Sequence, residues 1–511
     1  MRRYAPLLLL TACGGVTEHD DPTARHRTVR IDASEVVATV DERFLSFALD
    51  TAQVVGGLWW SASAQQEGSL GEERQTPYDF DRERLQRLTA ALSPAYLRIG
   101  GSEADRVYYD LTETATAPPA GYEELFTKSH VDAVGAFATR HDLDILFTLN
   151  AGPGPRDDSL EWNPAQMRAI VAYAESQNLP VDVWELGNEI NAYQVIHGID
   201  FRISPQRYAD DIRAARAVLD ELAPDKKLAG PSSAYWPEVG ELAPLYADFM
   251  AEAGDVLDVI TWHYYPQQSR RCPLAVREAD PALMHTPSAL DELATWADEV
   301  EASRDAHAPD VPVWLGETGN AQCGGEPGLS DAFVGGFWWL DQLGQLARRG
   351  QPVVVRQTLS GSNYGLLTEP ALEPNPDYFS SVLWKRTMGT RALDAKVLSD
   401  LRLRVYAHCA RGHGSGAVAV VALNLDEERG AFFTLEGIEG SKIFAYRLSA
   451  PSDASREIHL DGVPLRVSAD GALPALDPVE ETTDADAPEL YVPASSYAFF
   501  VLPDADAPAC R

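Results

Sequence analysis

Positive charge is scarce in this chain: Lys and Arg number 42 against 77 Asp and Glu, for a net charge of −35 and a pI near 4.6. A surface of that sign repels phosphate backbones and anionic headgroups, which speaks against a nucleic-acid partner and against broad binding to anionic membranes. It weighs, less strongly, against a densely sulfated substrate held by basic patches. Adaptation of the surface to solubility or salt produces the same composition. Long apolar runs are missing too. Past the first residues, no segment reaches the 18 or so apolar residues that a membrane helix needs. No G-x-G-x-x-G follows the first strand-like run, so a nucleotide-binding α/β fold has no support. Cysteine is sparse, with five in 511 residues. A core is not lacking: 45% hydrophobic content over this length suffices for a large domain and a smaller module.

The chain starts MRRYAPLLLLTACGG, two arginines before a short apolar run. That is the order of a secretory signal, and Leu10-Thr11-Ala12-Cys13 resembles the bacterial lipoprotein cleavage box. The expectation is a signal over residues 1–12, a lipidated Cys13 and a polar tether over 13–27, with any membrane contact made only through the lipid. Export to the cell envelope or beyond follows. Cys272, Cys323, Cys409 and Cys510 then remain, an even set in an oxidising compartment. Two bridges or four free thiols both fit, and spacing alone does not choose a pairing.

From about residue 43, strand-like and helix-like runs alternate. FLSFALD (44–50), AYLRIG (95–100), DILFTLN (144–150) and VDVWELG (181–187) are followed by KLAGPS (227–232), LDVITWH (257–263), VPVWLGE (311–317) and PVVVRQT (352–358). Between them, stretches such as DRERLQRLTAAL, VDAVGAFATRH, PAQMRAIVAYAES, PQRYADDIRAARAVLDEL and SDAFVGGFWWLDQLGQLARR repeat apolar residues at three- and four-residue spacing. Eight strands each followed by a helix is the count of a (β/α)₈ barrel, with a doubly wound open sheet as the alternative. After about residue 390 the runs shorten and alternate between Gly, Pro, Asp and Asn, as in an all-β sandwich. TVRIDASEVVATV has the same character. The predicted fold is therefore α/β: a barrel over 43–390, and a sandwich over 391–511 that also takes in residues 28–42.

In such a barrel, the C-terminal ends of the strands converge on one face. Glu189, in Leu186-Gly187-Asn188-Glu189, lies just past strand four, and Glu317, in Trp314-Leu315-Gly316-Glu317, closes strand seven. Alone, a glutamate at a strand end is usually a cap or a surface residue. Two of them, delivered to opposite sides of one pocket, are what glycoside hydrolysis requires.

LSPAYLRIGGSEAD (92–105), VWELGNEIN (183–191), DVITWHYY (258–265), VWLGETGNAQCGG (313–325), VVVRQTLSGSNYGLL (353–367), PDYFSSVLWKRTMGTRAL (376–393) and LRVYAHC (403–409) resemble glycoside hydrolase family 79, which contains heparanases and β-glucuronidases. The resemblance spans nearly the whole chain past its start. It implies that Glu189 is the general acid/base, Glu317 the nucleophile, and Asn188 a hydrogen-bond partner of the sugar 2-hydroxyl. Tyr364 and the backbone amides of Gly361, Ser362 and Asn363 match the family's loop for a uronic carboxylate, which a phenol and N–H groups can bind without a cation. Gln357 would reach sugar hydroxyls, His263 would touch substrate, and Tyr265 would hydrogen-bond the nucleophile. Asp50 and Ser102 match further subsite residues.

The resemblance also pairs Cys409 with Cys510. Cys272 and Cys323, which follow strands six and seven, are expected to form a second bridge on the active-site face. Departures are as informative. Gln322-Cys323 stands where the animal enzyme has Tyr-Gly, the region 231–240 lacks a basic run, and the animal proenzyme's long excised linker is missing.

The leading expectation is a retaining, heparanase-like β-D-glucuronidase acting on glucuronic-acid-bearing glycans, with two carboxylates and no cofactor or metal. A neutral-sugar glycosidase of the same barrel type (a xylosidase or arabinofuranosidase) and a non-catalytic polysaccharide-binding surface lipoprotein are the alternatives. Endo or exo cleavage stays open.

Overall fold

Eight parallel strands close into a ring in the computed structural model, which describes residues 24–62, 72–273 and 275–511. They are β1 (Leu45–Asp50), β2 (Ala95–Gly100), β3 (Leu143–Leu149), β4 (Val181–Leu186), β5 (Lys227–Tyr235), β6 (Val259–Tyr264), β7 (Val313–Thr318) and β8 (Val354–Arg356). Each overlaps one of the eight runs expected from the sequence. Each is followed by a helix: α1 (Glu83–Ala90), α2 (Lys128–Arg140), α3 (Ala165–Ser176), α4 (Pro205–Leu222), α5 (Tyr246–Ala253), α6 (Pro287–His307), α7 (Gly335–Arg349) and α8 (Pro376–Thr387). The ring closes where β8 pairs with β1, Val354 beside Leu45. Closure removes every sheet edge and excludes the open doubly wound sheet.

Inward side chains fill the lower barrel. Ala48, Tyr96, Leu146, Val183, Ala229, Val259, Trp314 and Val355, one from each strand, pack as a single apolar layer. The barrel is thus a plugged core with its chemistry above the plug. Outside it, α1–α8 bury their apolar stripes against the strands. The helix expected from Ser330 starts only at Gly335, because residues 326–330 turn back on themselves through the Ser330 amide to the Glu326 carbonyl.

The remaining strands form one sheet that folds over itself. Met388–Val397 turns the corner: its first half pairs with Leu403–Ala410 and its second with Arg25–Asp32. Arg25–Asp32 also runs parallel to Ala431–Glu436, Val29 beside Leu435. The inner faces enclose a second core containing Val29, Val420, Phe433 and Phe500. This is the expected sandwich with the expected N-terminal contribution, although the strand starts at Arg25, inside the segment taken for a tether. The signal over 1–12, Cys13 and the rest of the tether lie outside the described residues. Both expected bridges are present, Cys409–Cys510 and Cys272–Cys323, with Cα separations of 5.2 and 5.6 Å. Among the described residues no helix is long and apolar enough to cross a membrane.

Candidate active site

One pleat above the apolar plug, the inward positions turn polar. Tyr96, Leu146 and Val183 belong to the plug; two residues further along the same faces come Arg98, Thr148 and Glu185. Arg98 is fully buried and spans three acceptors. Its Nε donates to Glu185 Oε2 at 3.0 Å, and its terminal nitrogens donate to Glu317 Oε2 at 2.6 Å and Asn188 Oδ1 at 2.8 Å. Thr148 Oγ1 adds a 2.7 Å bond to Glu185 Oε2. Burial opposes a charge on Glu185, but Arg98, together with hydrogen bonds from Ser232 and Thr148, outweighs it and holds the carboxyl below its ordinary range. Glu317 is gripped from the other side by the Tyr265 hydroxyl, which donates to Oε1 at 2.7 Å. The bond expected between Tyr265 and Glu317 is thus present.

Glu189 is presented differently. The chain leaves β4 through Gly187 at φ +75°, where a Cβ would come within 2.4 Å of Ile190. Glu189 itself holds a left-handed backbone, φ +52° and ψ +52°, a conformation that costs a non-glycine residue roughly 1–3 kcal/mol. Two bonds keep it there: its amide donates to the Ser232 carbonyl at 3.1 Å, and its carbonyl accepts from the Ala192 amide at 2.7 Å. The strained turn aims the carboxyl at β6 and β7. Its Oε1 lies 3.2 Å from His263 Nδ1. Burial pushes the Glu189 pKa up to about 7, opposed only by Arg98. Burial also takes His263 down to about 4, so the imidazole is neutral at physiological pH.

The two carboxyl groups meet. Ligand atoms of Glu189, Glu317 and His263 all lie within 4.8 Å of one another. Among the described residues this is the group close enough to hold a metal ion, but both Glu317 oxygens are already occupied by donors, from Arg98 and Tyr265. Such a donor set positions a carboxylate rather than exposing it to a cation.

The other expected residues lie around this pair. Asn188 is buried with its Oδ1 taken by Arg98, which leaves Nδ2 as its donor for a ligand. Its amide donates to Asp105 at 3.0 Å, and Asp105 also accepts from the Ala151 amide, tying the turn after β3 to the turn after β4. His263 is buried, with Nδ1 beside Glu189 and Nε2 without a hydrogen-bond partner. Asp50 caps the short helix Thr51–Val55 through the Ala52 amide at 2.9 Å, and Gln357 is buried at the end of β8.

Tyr364 packs with Trp59 and Tyr265. In its loop, the Gly361 amide donates to Leu367 and the Asn363 amide to Gly324, both at 2.9 Å. Those two amides are spent inside the protein, and the Ser362 amide has no such acceptor among the described residues. Ser102 and Glu189 line a cavity of about 270 Å³ with Trp60, Trp236 and the Cys272–Cys323 bridge. A second, of about 510 Å³, is lined by Trp59, Trp60, Tyr78 and Ser362.

Three comparisons bear on this geometry. A family model described as "Glycosyl hydrolase family 79, N-terminal domain" matches residues 26–344. The chain belongs to glycosyl hydrolase family 79. Relatives in the family include the heparanase of Gallus gallus, 30% identical over 96% of this chain and 97% of that protein. The baicalin-beta-D-glucuronidase of Scutellaria baicalensis is 26% identical over 97% and 94%. Among solved structures, a 4-O-alpha-L-rhamnosyl-beta-D-glucuronidase from Fusarium oxysporum superposes with a TM-score of 0.68, covering 94% of this chain and 100% of that one at 18% identity, a likeness of fold. Family 79 membership makes the chain a glycosyl hydrolase.

Reading the sequence for acids at strand ends overlooked Arg98, Glu185 and Asp105. Their signal was a charged residue inside an apolar strand: Arg98 in AYLRIG and Glu185 in VDVWEL stand two residues beyond plug positions.

Proposed function

We propose that the protein is a retaining β-D-glucuronidase of heparanase type, in which Glu317 attacks the anomeric carbon and Glu189 first donates and then withdraws a proton. The observation that carries this reading is the approach of the two carboxyl groups to within 4.8 Å. Retaining glycosidases hold their carboxyls about 5–5.5 Å apart, whereas inverting ones need about 6.5–9.5 Å to admit a water. Their environments divide the labour. Glu317 is fixed by a cation and a phenol, as suits an anionic nucleophile. Glu189 keeps its proton up to about pH 7 and can pass it to the leaving oxygen. One guanidinium, Arg98, faces two carboxylates, Glu185 and Glu317, and already leaves one negative charge over, so a further charge on Glu189 would be uncompensated. Once Glu317 is esterified, Arg98 loses one partner, a charge on Glu189 becomes easier to hold, and the same residue serves as base for water.

The glucuronide specificity rests on the relatives' activities together with Tyr364 and the uncommitted Ser362 amide. Two disulfides favour an exported protein, and a lipid on Cys13 is proposed as its only membrane contact. A chromogenic β-glucuronide, unsulfated heparosan and heparan sulfate are the test panel, with the first-formed anomer followed by NMR. The β anomer is expected, and Glu317→Gln should fall to background turnover with native near-UV circular dichroism. An α product, or unaffected turnover in that variant, overturns the mechanism. Tyr364→Phe should damage glucuronides far more than neutral glycosides; equal loss would favour a neutral-sugar enzyme.

A further inference from the structure

Among the described residues, buried guanidinium groups are bonded to carboxylates, with one exception. Arg98 meets Glu185 and Glu317, Arg156 meets Asp211, Arg356 meets Asp377, and Arg447 meets Glu481. Arg271, 8% exposed, hydrogen-bonds only neutral oxygens; Glu326 and Asp331 act on its charge from nearby, but neither bonds it directly. It donates to the Ser61 carbonyl at 2.7 Å, the Gly324 carbonyl at 3.2 Å, the Gly325 carbonyl, Ser269 Oγ at 3.4 Å and Asn363 Oδ1 at 2.7 Å. Taking a cation out of water without a carboxylate bonded to it is expensive. A positive charge kept in such a place suits an anion that arrives from outside.

The position says which anion. Asn363 immediately precedes Tyr364, and the Tyr364 ring packs on Trp59 and Tyr265, whose hydroxyl holds Glu317. Gly324, one acceptor of Arg271, also accepts the Asn363 amide and, at 2.6 Å, the Ser362 hydroxyl. Covalent bonds secure both sides of this arrangement, because Arg271 adjoins Cys272, Gly324 adjoins Cys323, and the two cysteines are joined. Arg271 stays charged, since a guanidinium does not lose its proton in a protein.

We propose that Arg271 is the positive pole of the substrate-carboxylate subsite: a positioning residue that orients the Ser362–Tyr364 segment and whose charge, bonded to no carboxylate of the protein, selects a uronate over a neutral sugar. This rests on the glucuronidase reading and deepens it. In a low-dielectric wall the charge acts over several ångströms without touching the ligand. The receptor is then more than a phenol and an amide; a cation stands behind them, hidden from solvent and from bulk counter-ions.

The test compares p-nitrophenyl β-D-glucuronide with its methyl ester, which keeps the shape and removes the charge. With wild-type enzyme, kcat/KM should favour the acid. Arg271→Gln should shrink that preference at least tenfold, through a higher KM for the acid with kcat within about threefold, while the ester changes less than threefold. Arg271→Lys, which keeps the charge but not the fork, should restore part of the preference and covers the case in which the Gln variant does not fold. Equal loss on both substrates, no change on either, or no recovery with Lys overturns the inference. Wild-type protein that cleaves no glucuronide instead overturns the parent reading, so the two failures are distinct.

Discussion

Glu185 and Glu189 are the same side chain four residues apart, and both are buried, yet burial wins at Glu189, whereas at Glu185 Arg98 and the hydrogen-bond donors around it together win. What separates them is the pleat. Glu185 faces inward on β4 beside Arg98 and Thr148, whereas Glu189 lies past the strand in a left-handed turn with a neutral histidine for company. This predicts a pH profile. A raised carboxyl is protonated below its folded pKa, so general-acid catalysis is intact on the acid side and lost as pH rises through about 7. Glu189→Gln should lower kcat/KM by about 10²–10⁴ for a poor leaving group, and less for an activated one, and should abolish the alkaline limb near 7. Linkage adds a stability signature. The native state binds this proton more tightly than the unfolded chain, so the group favours folding at low pH, and that contribution is lost between its ordinary value of 4.5 and about 7. Glu189→Gln should therefore melt higher than wild type at pH 8 and not at pH 4. A variant that keeps its alkaline limb, or shows no pH-dependent gain in Tm, would count against Glu189 as the acid. The pair of glutamates was legible in the sequence because strand ends converge. Arg98 and the dead-ended amides of Gly361 and Asn363 were not, since both depend on registers set only when the ring closes.

At the level of elements, the alternation of strands and helices carried nearly the whole barrel, because each buried parallel strand must be a short apolar run and each crossover an amphipathic helix. Short pieces escaped. Thr51–Val55 is a five-residue helix capped by Asp50, and Leu58–Trp60 pairs with Glu72–Arg74 at the cavity wall; neither is long enough to show a period. Met388–Val397 belongs to two faces of a folded sheet, which no single alternation describes. The two disulfides were expected, but they act on different elements. Cys409–Cys510 closes 101 residues and fastens the C-terminal turn to the sandwich; Cys272–Cys323 closes 51 and joins the loops after β6 and β7. Chain entropy assigns each about 4–5 kcal/mol of stability. Both double-serine variants should therefore lower Tm, but only the Cys272→Ser, Cys323→Ser pair should also raise KM for a glucuronide, because only that bridge holds the Arg271 and Gly324 cradle. Matched kinetics in the two variants would show the cradle to be independent of its bridge.

As a whole molecule, the barrel and sandwich share one hydrophobic core: Val421, Tyr497 and Phe499 of the sheet belong to the same cluster as the barrel helices. Docking is tight enough that a Cβ on Gly344 of α7 would lie 2.2 Å from the Tyr406 ring, whose hydroxyl bonds Asp341 of the same helix. The helix leaving the Glu317 strand is thus anchored by the sandwich, so the second domain supports the catalytic one. Around this rigid body lies a field set by the net charge of −35, and the cavity walls share its sign. Glu72 and Glu103 line the cavity beside Glu189, and Glu73 and Asp79 line its neighbour. Their arginines are engaged, Arg82 by both oxygens of Glu369 and Arg106 by Glu123. A single uronate can be met by the Arg271 pole, but a row of sulfates finds no open cation among the described residues of these walls. Unsulfated heparosan should therefore be cleaved at least tenfold faster than heparan sulfate of equal length near 0.01 M salt, where the Debye length is about 30 Å. Raising salt to about 0.1 M shortens that length to about 10 Å and should narrow the gap by speeding the sulfated chain. Initial rates of chain shortening at the two ionic strengths provide the measurement, and faster cleavage of the sulfated chain at low salt would mean that some cationic surface elsewhere on the protein overrides the acidic cleft.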